Sequence, residues 1–164
     1  MTVYRYCTPE WLEQSAMIYR TTPRLRKELE KVTTQVFYRI EAEPAWGIDR
    51  DILFGAAVNK GELEELAFFS EEAARAKAKY IMAATPQEWK KILRKENKFL
   101  TDFMLGRITL EQGSKIGVLG LAPYANAFVD ALTQVELQFP DELTTREMEE
   151  YRTYVKQFRA ELGV

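Results

Sequence analysis

The sequence contains no histidine. This absence removes Ser–His and Cys–His nucleophile pairs, histidine metal ligands and the commonest general base near neutral pH. Chemistry based on carboxylates or lysines remains available. The composition therefore makes an enzyme less expected without excluding one, and we expect neither a cofactor nor a metal centre.

Cysteine is nearly absent as well, since Cys7 is the single thiol. One cysteine cannot form an internal disulfide, which is typical of a protein from a reducing compartment. The first residues lack the apolar region of a secretory signal. No apolar run approaches the ~20 residues of a membrane-spanning helix. These absences predict a cytoplasmic protein.

The chain also lacks a strong excess of either charge. It has 23 basic and 25 acidic residues, for a formal net charge of −2. Nucleic-acid binding usually requires a clustered positive surface, so we expect no nucleic-acid partner. The 164 residues are typical of one domain, which we assign to residues 1–164.

Residues 85–113 carry the most information. Thr85-Pro86-Gln87-Glu88 is a helix-start signal, because the threonine can cap the helix and proline suits its first position. A helix with an apolar face follows, then a short apolar turn at 99–105. Gly106 ends this turn, and residues 107–111 alternate like a half-buried strand. Nothing in the segment offers a nucleophile, so its large apolar residues suggest a pocket for a hydrophobic molecule.

Hydrophobic periodicity predicts the other elements. Helices are expected to start at Pro9 and to cover residues 25–32, 85–95, 121–135 and 144–162. Strands are expected over residues 34–41, 51–58, 62–69, 76–83 and 107–111, with a loop over 113–120.

The fold class that follows is α+β, with two layers. We expect a mostly antiparallel sheet of about five strands, covered on one face by helices that enclose an apolar cavity, plus a C-terminal helix. The fifth strand follows the crossover at 85–105 and is the candidate for parallel pairing with an earlier strand.

The ordered elements of residues 80–135 resemble the sterol carrier protein type-2 family. The motif that carries the resemblance is Gly106-Arg107-Ile108-Thr109-Leu110, between a capped helix and Gly113. The resemblance covers residues 25–135, and a helical extension at 144–162 lies beyond it. The chain departs from the family in the longer spacing between the two glycines and in the absence of a proline before Gly106.

The resemblance implies a tunnel that binds a lipid, a fatty acid or acyl group, or a sterol- or isoprenoid-like molecule, without chemistry of its own. We expect Trp89 and Leu93 to lie over Met82 and Ile108, with Phe103 closing one end. From the residues alone, an ordinary core is the favoured interpretation of these side chains, and the resemblance is what favours a cavity. The candidate ligand-binding residues are Tyr38, Ile40, Phe54, Phe68, Tyr80, Met82, Trp89, Leu93, Phe103, Met104 and Ile108.

Two alternatives from other functional classes remain open. A small enzyme could use Glu41, Asp49 or Asp102 as a base, provided that one of them lies inside the cavity with a raised pKa. An interaction module could form a homodimer through the apolar face of residues 144–162. In addition, the basic run at 90–98 could make transient contact with an anionic membrane surface.

Overall fold

The structure is a computed structural model that describes residues 2–164. Its α-helices are α1 (Pro9–Thr21), α2 (Pro23–Glu28), α3 (Glu71–Lys77), α4 (Pro86–Leu93), α5 (Phe99–Met104), α6 (Lys115–Leu121), α7 (Ala125–Leu132) and α8 (Thr145–Leu162). Its strands are β1 (Val3–Arg5), β2 (Thr33–Ile40), β3 (Ile52–Asn59), β4 (Glu62–Phe69), β5 (Tyr80–Ala84), β6 (Thr109–Gln112) and β7 (Glu136–Gln138). Short 3₁₀ turns occur at Pro44–Trp46, Ala122–Tyr124 and Pro140–Glu142.

An open five-stranded sheet in the order β4-β3-β2-β5-β6 forms one layer. Its inner face carries a cross-strand row of large side chains, because directly paired residues point to the same face. The register places these residues side by side, in the order Phe68, Phe54, Tyr38, Met82 and Leu110. The row forms the floor on which the helices pack.

The parallel pair of the sheet is β2 with β5, and β6 pairs antiparallel with β5. Our expectation that the strand after the 85–105 crossover could be the parallel one is therefore wrong. The chain crosses earlier, through α3. Ser70 caps this helix by accepting a hydrogen bond from the amide of Ala73, and the strand expected from residue 76 begins only at Tyr80.

Helix α3 also covers part of the outer face of the sheet, which we expected to face water. Ile81 is fully buried there, in a small apolar cluster with Phe37 and Ala74. The main helical layer lies on the inner face, so the predicted α+β architecture is confirmed with an added helix outside.

The loop expected at 113–120 is instead mostly helix α6. The Ser114 side chain accepts a hydrogen bond from the Gly117 amide and so caps the helix start. Strands β1 and β7 were also not predicted. They form a separate parallel pair in which Val3 lies opposite Glu136, and three-residue strands are too short for a periodic signal.

Both ends of the chain pack into the main core. Trp11 and Leu12 of α1 are buried, although the sequence resemblance began only near residue 25. Near the other end, the Tyr151 hydroxyl donates a 2.6 Å hydrogen bond to the Tyr6 carbonyl, and Phe158 packs on Phe68. Among residues 2–164, no helix is long and apolar enough to cross a membrane.

Candidate functional site

A cavity of about 60 Å³ lies between the inner face of the sheet and the helical layer. The sheet supplies one wall and helices α4 to α7 supply the other. The lining residues are Tyr6, Val36, Tyr38, Phe54, Met82, Trp89, Ile92, Leu93, Phe99, Val118, Leu121, Ala125, Phe128, Val129 and Leu132. None of these side chains is charged at neutral pH.

A second, smaller cavity of about 30 Å³ adjoins the first. It is lined by Ser15, Tyr19, Leu29, Tyr38, Phe54, Ala56, Val58, Leu63, Leu66, Phe128, Ala131 and Leu132. Tyr38, Phe54, Phe128 and Leu132 line both cavities. We refer to these four side chains as the partition.

Helix α4 is fixed to the sheet at the first cavity by Trp89. Thr85 caps the helix as predicted, by accepting from the Glu88 amide. The Trp89 indole N–H donates a 2.9 Å hydrogen bond to the Arg39 carbonyl of β2. Its ring meets the ring of Tyr38 edge to face, with centroids 5.5 Å apart. The α4 contribution to the cavity wall is thus positioned by both a polar and an aromatic contact.

Helix α6 reaches the cavity because Gly117 lies against Tyr80. A Cβ atom at position 117 would overlap the Tyr80 hydroxyl, so only glycine allows this close approach. The approach lets α6 contribute Val118 and Leu121 to the wall of the first cavity.

The predicted ligand-binding residues divide into three groups. Tyr38, Phe54, Met82, Trp89 and Leu93 line the first cavity. The residues that are buried in the core but line neither cavity are Ile40, Phe68, Tyr80, Phe103 and Ile108.

Met104 is 55% exposed and faces away from the core. Phe103 is buried nearby, but it lines neither cavity and so does not close one end as we expected from the sequence. Whether any of the predicted residues contacts a ligand stays a prediction.

Sequence reasoning missed the wall that α6 and α7 supply. The signal was available: Val118, Leu121, Ala125, Phe128 and Leu132 recur at spacings of three and four, as on one face of a helix. The helix over 121–135 was predicted but was not assigned to the cavity, and the glycines at 113, 117 and 120 suggested a loop in place of α6. Tyr6 gave no local signal, because it precedes α1 and reaches the cavity only through the tertiary fold.

The carboxylates of the enzyme alternative line neither cavity. Asp49 is exposed and forms a 2.8 Å ion pair with Arg152, and Glu41 is half-buried. Asp102 of α5 is only 1% exposed, but its carboxylate accepts hydrogen bonds from Asn97 and Arg107, and neither of these residues lines a cavity. The geometry therefore gives no support to a base acting inside the cavity.

Asp102 and Glu88 form a coupled carboxyl pair. Burial alone would raise the pKa of Asp102, but hydrogen bonds from Glu88, Asn97 and Arg107 lower it overall. Burial raises the pKa of Glu88 to about 7, and the neighbouring Asp102 carboxylate adds to this rise. The Glu88 Oε2 atom is buried and has no hydrogen-bond partner among the described residues.

Arg39 is a buried cation, but it is on the opposite face of the sheet from the cavities. Its guanidinium donates to Glu111 at 2.7 Å and to Glu71 at 2.8 Å. The hydrogen bond to Glu71 and those to its other partners raise the pKa of Arg39 despite its burial. The charge is therefore satisfied by surface acids and does not reach a ligand in either cavity.

Two further expectations concern partners. Three residues of the basic run are paired with acids: Lys90 with Asp141, Arg94 with Glu142 and Lys95 with Asp130. These ion pairs use three of the five basic residues of the run, and nothing in the structure supports contact with an anionic membrane surface. Within residues 2–164, no group of three or more potential ligands is arranged to hold a metal ion.

The face of α8 that we proposed as a dimer seam is used inside the molecule. Tyr151, Val155 and Phe158 are buried against the rest of the chain. Arg159 donates hydrogen bonds to the carbonyls of Arg50 and Asp51, at 2.7 and 2.6 Å. Helix α8 therefore caps its own domain, and the structure does not support dimerisation through this face.

Comparison with solved structures shows that the fold is shared with sterol carrier proteins. A conserved hypothetical protein of Thermus thermophilus, suggested by its description to be a sterol carrier protein, superposes with a TM-score of 0.67 at 19% identity, over 80% of this chain and 90% of that one. A crystal structure of sterol carrier protein 2 gives a TM-score of 0.64 at 20% identity, over 78% and 97%.

The apo form of sterol carrier protein 2 from Yarrowia lipolytica gives a TM-score of 0.52 at 7% identity, over 74% of this chain and 88% of that one. No family model and no curated protein sequence matches the chain. The resemblance inferred from the sequence is thus supported at the level of the fold, and this chain has the α+β fold of sterol carrier protein 2.

Proposed function

We propose that this protein binds a hydrophobic small molecule between its sheet and its helices and carries it without transforming it. The observation that carries the proposal is the uncharged lining of the first cavity, which consists of fifteen apolar and aromatic side chains, including Tyr6 and Tyr38. Binding sites for small molecules are mostly apolar, with few polar groups. Solved proteins of the same fold are named sterol carrier proteins, which supports a lipid as the class of ligand.

The expected source of affinity is the removal of apolar surface from water. Enclosing an alkyl chain of several hundred Å² contributes several kcal/mol at ~25 cal/mol per Å², before the entropic costs of association are subtracted. No ion pair is needed for this binding, and no carboxylate among the lining residues offers a general base. We therefore expect the ligand to be released chemically unchanged.

Uptake must enlarge the cavity. The present volume of about 60 Å³ is well below the ~300–1,000 Å³ typical of sites for small organic molecules. The covering helices α4, α5, α6 and α7 contain eight, six, seven and eight residues, and such short elements can move at low cost. Met82 in the floor has an unbranched side chain that adapts to irregular partners.

The test is a binding screen. Native mass spectrometry and thermal shift would be run with fatty acids, acyl-CoAs, isoprenoids and sterols, and the protein would also be extracted to identify any co-purified lipid. The proposal expects at least one of these compounds to bind with one-to-one stoichiometry and to be recovered intact. It is lost if none of them co-purifies with or stabilises the protein.

A further inference from the structure

The two cavities are halves of one potential channel. They share the four residues of the partition, so rotation of these side chains would connect them. Tyr38 and Phe54 of the partition are in tilted contact, with ring centroids 5.1 Å apart. The joined channel would run beside α1, from Tyr6 in the first cavity to Ser15 in the second.

Each half of this channel contains a buried hydroxyl without a partner. Tyr6 and Ser15 are each 1% exposed, and among the described residues neither hydroxyl makes a hydrogen bond. By contrast, the Tyr19 hydroxyl beside the second cavity donates to the Gly61 carbonyl at 2.7 Å. A buried hydroxyl without a partner is costly and uncommon in folded proteins. Two of them along one apolar channel indicate positions where a ligand supplies the missing partner.

Charged ligands fit this channel poorly. Its lining contains neither a basic nor an acidic side chain, and the cation of Arg39 is held by Glu71 and Glu111 on the other face of the sheet. A carboxylate in the channel would lose its hydration without gaining a counter-charge, which is strongly unfavourable. A hydroxyl or carbonyl group loses far less and can pair with Tyr6 or Ser15.

We propose that the channel selects an uncharged, single-chain lipid with one hydroxyl or carbonyl group, such as a long-chain alcohol. The polar group hydrogen-bonds to Tyr6 or to Ser15, and the chain crosses the partition into the other cavity. A flexible chain can bend past the partition, whereas a rigid fused-ring molecule must displace all four of its side chains together. This inference rests on the proposed function and narrows its ligand class.

Three probes of equal chain length and one rigid sterol test the selectivity. Hexadecan-1-ol, palmitate, hexadecane and cholesterol would each be delivered from cyclodextrin, and binding would be measured by native mass spectrometry and by displacement of an uncharged fluorescent alkyl probe. We expect hexadecan-1-ol to bind at least tenfold more tightly than palmitate or cholesterol, and several-fold more tightly than hexadecane. Equal affinity for any of these three competitors overturns the inference.

Variants test the two hydroxyls directly. In the double variant Tyr6→Phe/Ser15→Ala, we expect the affinity for hexadecan-1-ol to fall about fivefold, the size of one lost hydrogen bond, while the affinity for hexadecane does not fall. Each single variant then shows which end holds the polar group. The control is Tyr154→Phe, whose hydroxyl bonds to Glu10 at an exposed position and should not affect either probe.

The outcomes separate the two proposals. If none of the four probes binds to the wild-type chain, and the broader screen also finds no ligand, the proposed function itself fails. If palmitate or cholesterol binds as well as hexadecan-1-ol, the function stands and the uncharged single-chain class is wrong. If hexadecan-1-ol is preferred but the double variant binds it as the wild type does, the role of the two hydroxyls is wrong.

Discussion

The indole N–H of Trp89 donates a 2.9 Å hydrogen bond to the backbone carbonyl of Arg39. Arg39 thus interacts with the inner face of the sheet through its backbone and with the outer face through its side chain. On the inner face, Trp89 lines the first cavity. On the outer face, the side chain of Arg39 is held by Glu71 and Glu111. The wall of the cavity is thus anchored to a strand residue that is itself fixed by ion pairs.

Replacing Trp89 by Phe removes this hydrogen bond, while Arg39 stays paired in the sheet between β3 and β5. We expect the free energy of unfolding to fall by about 0.5–1.5 kcal/mol beyond the loss due to ring size. The control is Trp46→Phe, because Trp46 is similarly buried, at 8% exposed against 6% for Trp89. Urea unfolding measures both. Equal destabilisation of the two variants would show that the hydrogen bond contributes nothing net.

Met82→Trp should fill the first cavity. Met82 lies in the cavity floor, so a larger side chain there can extend into empty space. In a filled core the same substitution would cost ~1–3 kcal/mol through overpacking. We expect nearly unchanged stability and loss of hydrophobic probe uptake. Met104→Trp is the control, since Met104 is 55% exposed and should leave uptake intact. A Met82→Trp protein that unfolds easily, or that still takes up the probe, would remove Met82 from the proposed wall.

Two glycines of α6 should respond in opposite ways to alanine. At Gly117 the added Cβ would overlap the Tyr80 hydroxyl, whereas at Gly120 it would meet nothing within 4 Å. We expect Gly117→Ala to lower the melting temperature, because α6 must move off β5. Gly120→Ala should raise stability by about 0.5–1 kcal/mol through its higher helix propensity. If both variants behave alike in thermal unfolding, α6 does not pack on Tyr80 as described.

The Glu88–Asp102 pair predicts a stability that declines towards neutral pH. Glu88 has a folded pKa of about 7, above its ordinary 4.5, so the folded state holds its proton more tightly. Its stabilising contribution is complete below the ordinary pKa and is lost as pH rises towards 7. Asp102 has a lowered pKa, so its contribution is lost instead as pH falls into the strongly acidic range.

Urea unfolding at about pH 5 and about pH 7.5 tests this dependence. In the wild type we expect the free energy of unfolding to be higher at the lower pH. Glu88→Gln cannot ionise and should reduce this difference, while Glu96→Gln, at an exposed position in the following loop, should retain it. The same pH difference in all three proteins would contradict the coupling.

Shortening the chain to end at Asp141 removes α8 and uncovers the core around Tyr6 and Phe68. Because Tyr151, Val155 and Phe158 are buried in that core, we expect aggregation or loss of cooperative unfolding. Light scattering and circular dichroism would measure the result. If the full-length protein is a dimer and the shortened chain is a soluble, folded monomer, the result would instead support dimerisation through α8.

The capped helices and the hairpin were readable from the sequence because their signals are local. Thr85 caps its helix as predicted, Thr144 caps the helix that was predicted over residues 144–162, and β4 occupies the predicted residues Glu62–Phe69. Alternation along β2 correctly put Tyr38 on the inner face. Each of these features depends on residues within a few positions of one another, so a single sequence contains the whole signal.

The cavity was decided by tertiary structure. The sequence marked Tyr38, Phe54, Met82, Trp89 and Leu93 as apolar, but it could not separate them from residues that simply fill the core. Which of them borders a cavity depends on how closely each helix approaches the sheet. At α6, that distance is set by contact between Gly117 and Tyr80, which are far apart along the chain.

The sequence by itself determined the two-layer α+β class, the five strands of the main sheet and the absence of histidine chemistry, since composition and periodicity are properties of the chain alone. Only the tertiary structure decided that β2 and β5 run parallel, that α8 packs on its own core, and that the Tyr6 and Ser15 hydroxyls, which have no hydrogen-bond partner among residues 2–164, each belong to one of two adjoining apolar cavities. Those features depend on which surfaces meet when distant segments pack, and that choice minimises exposed apolar area over the whole molecule rather than within any one segment.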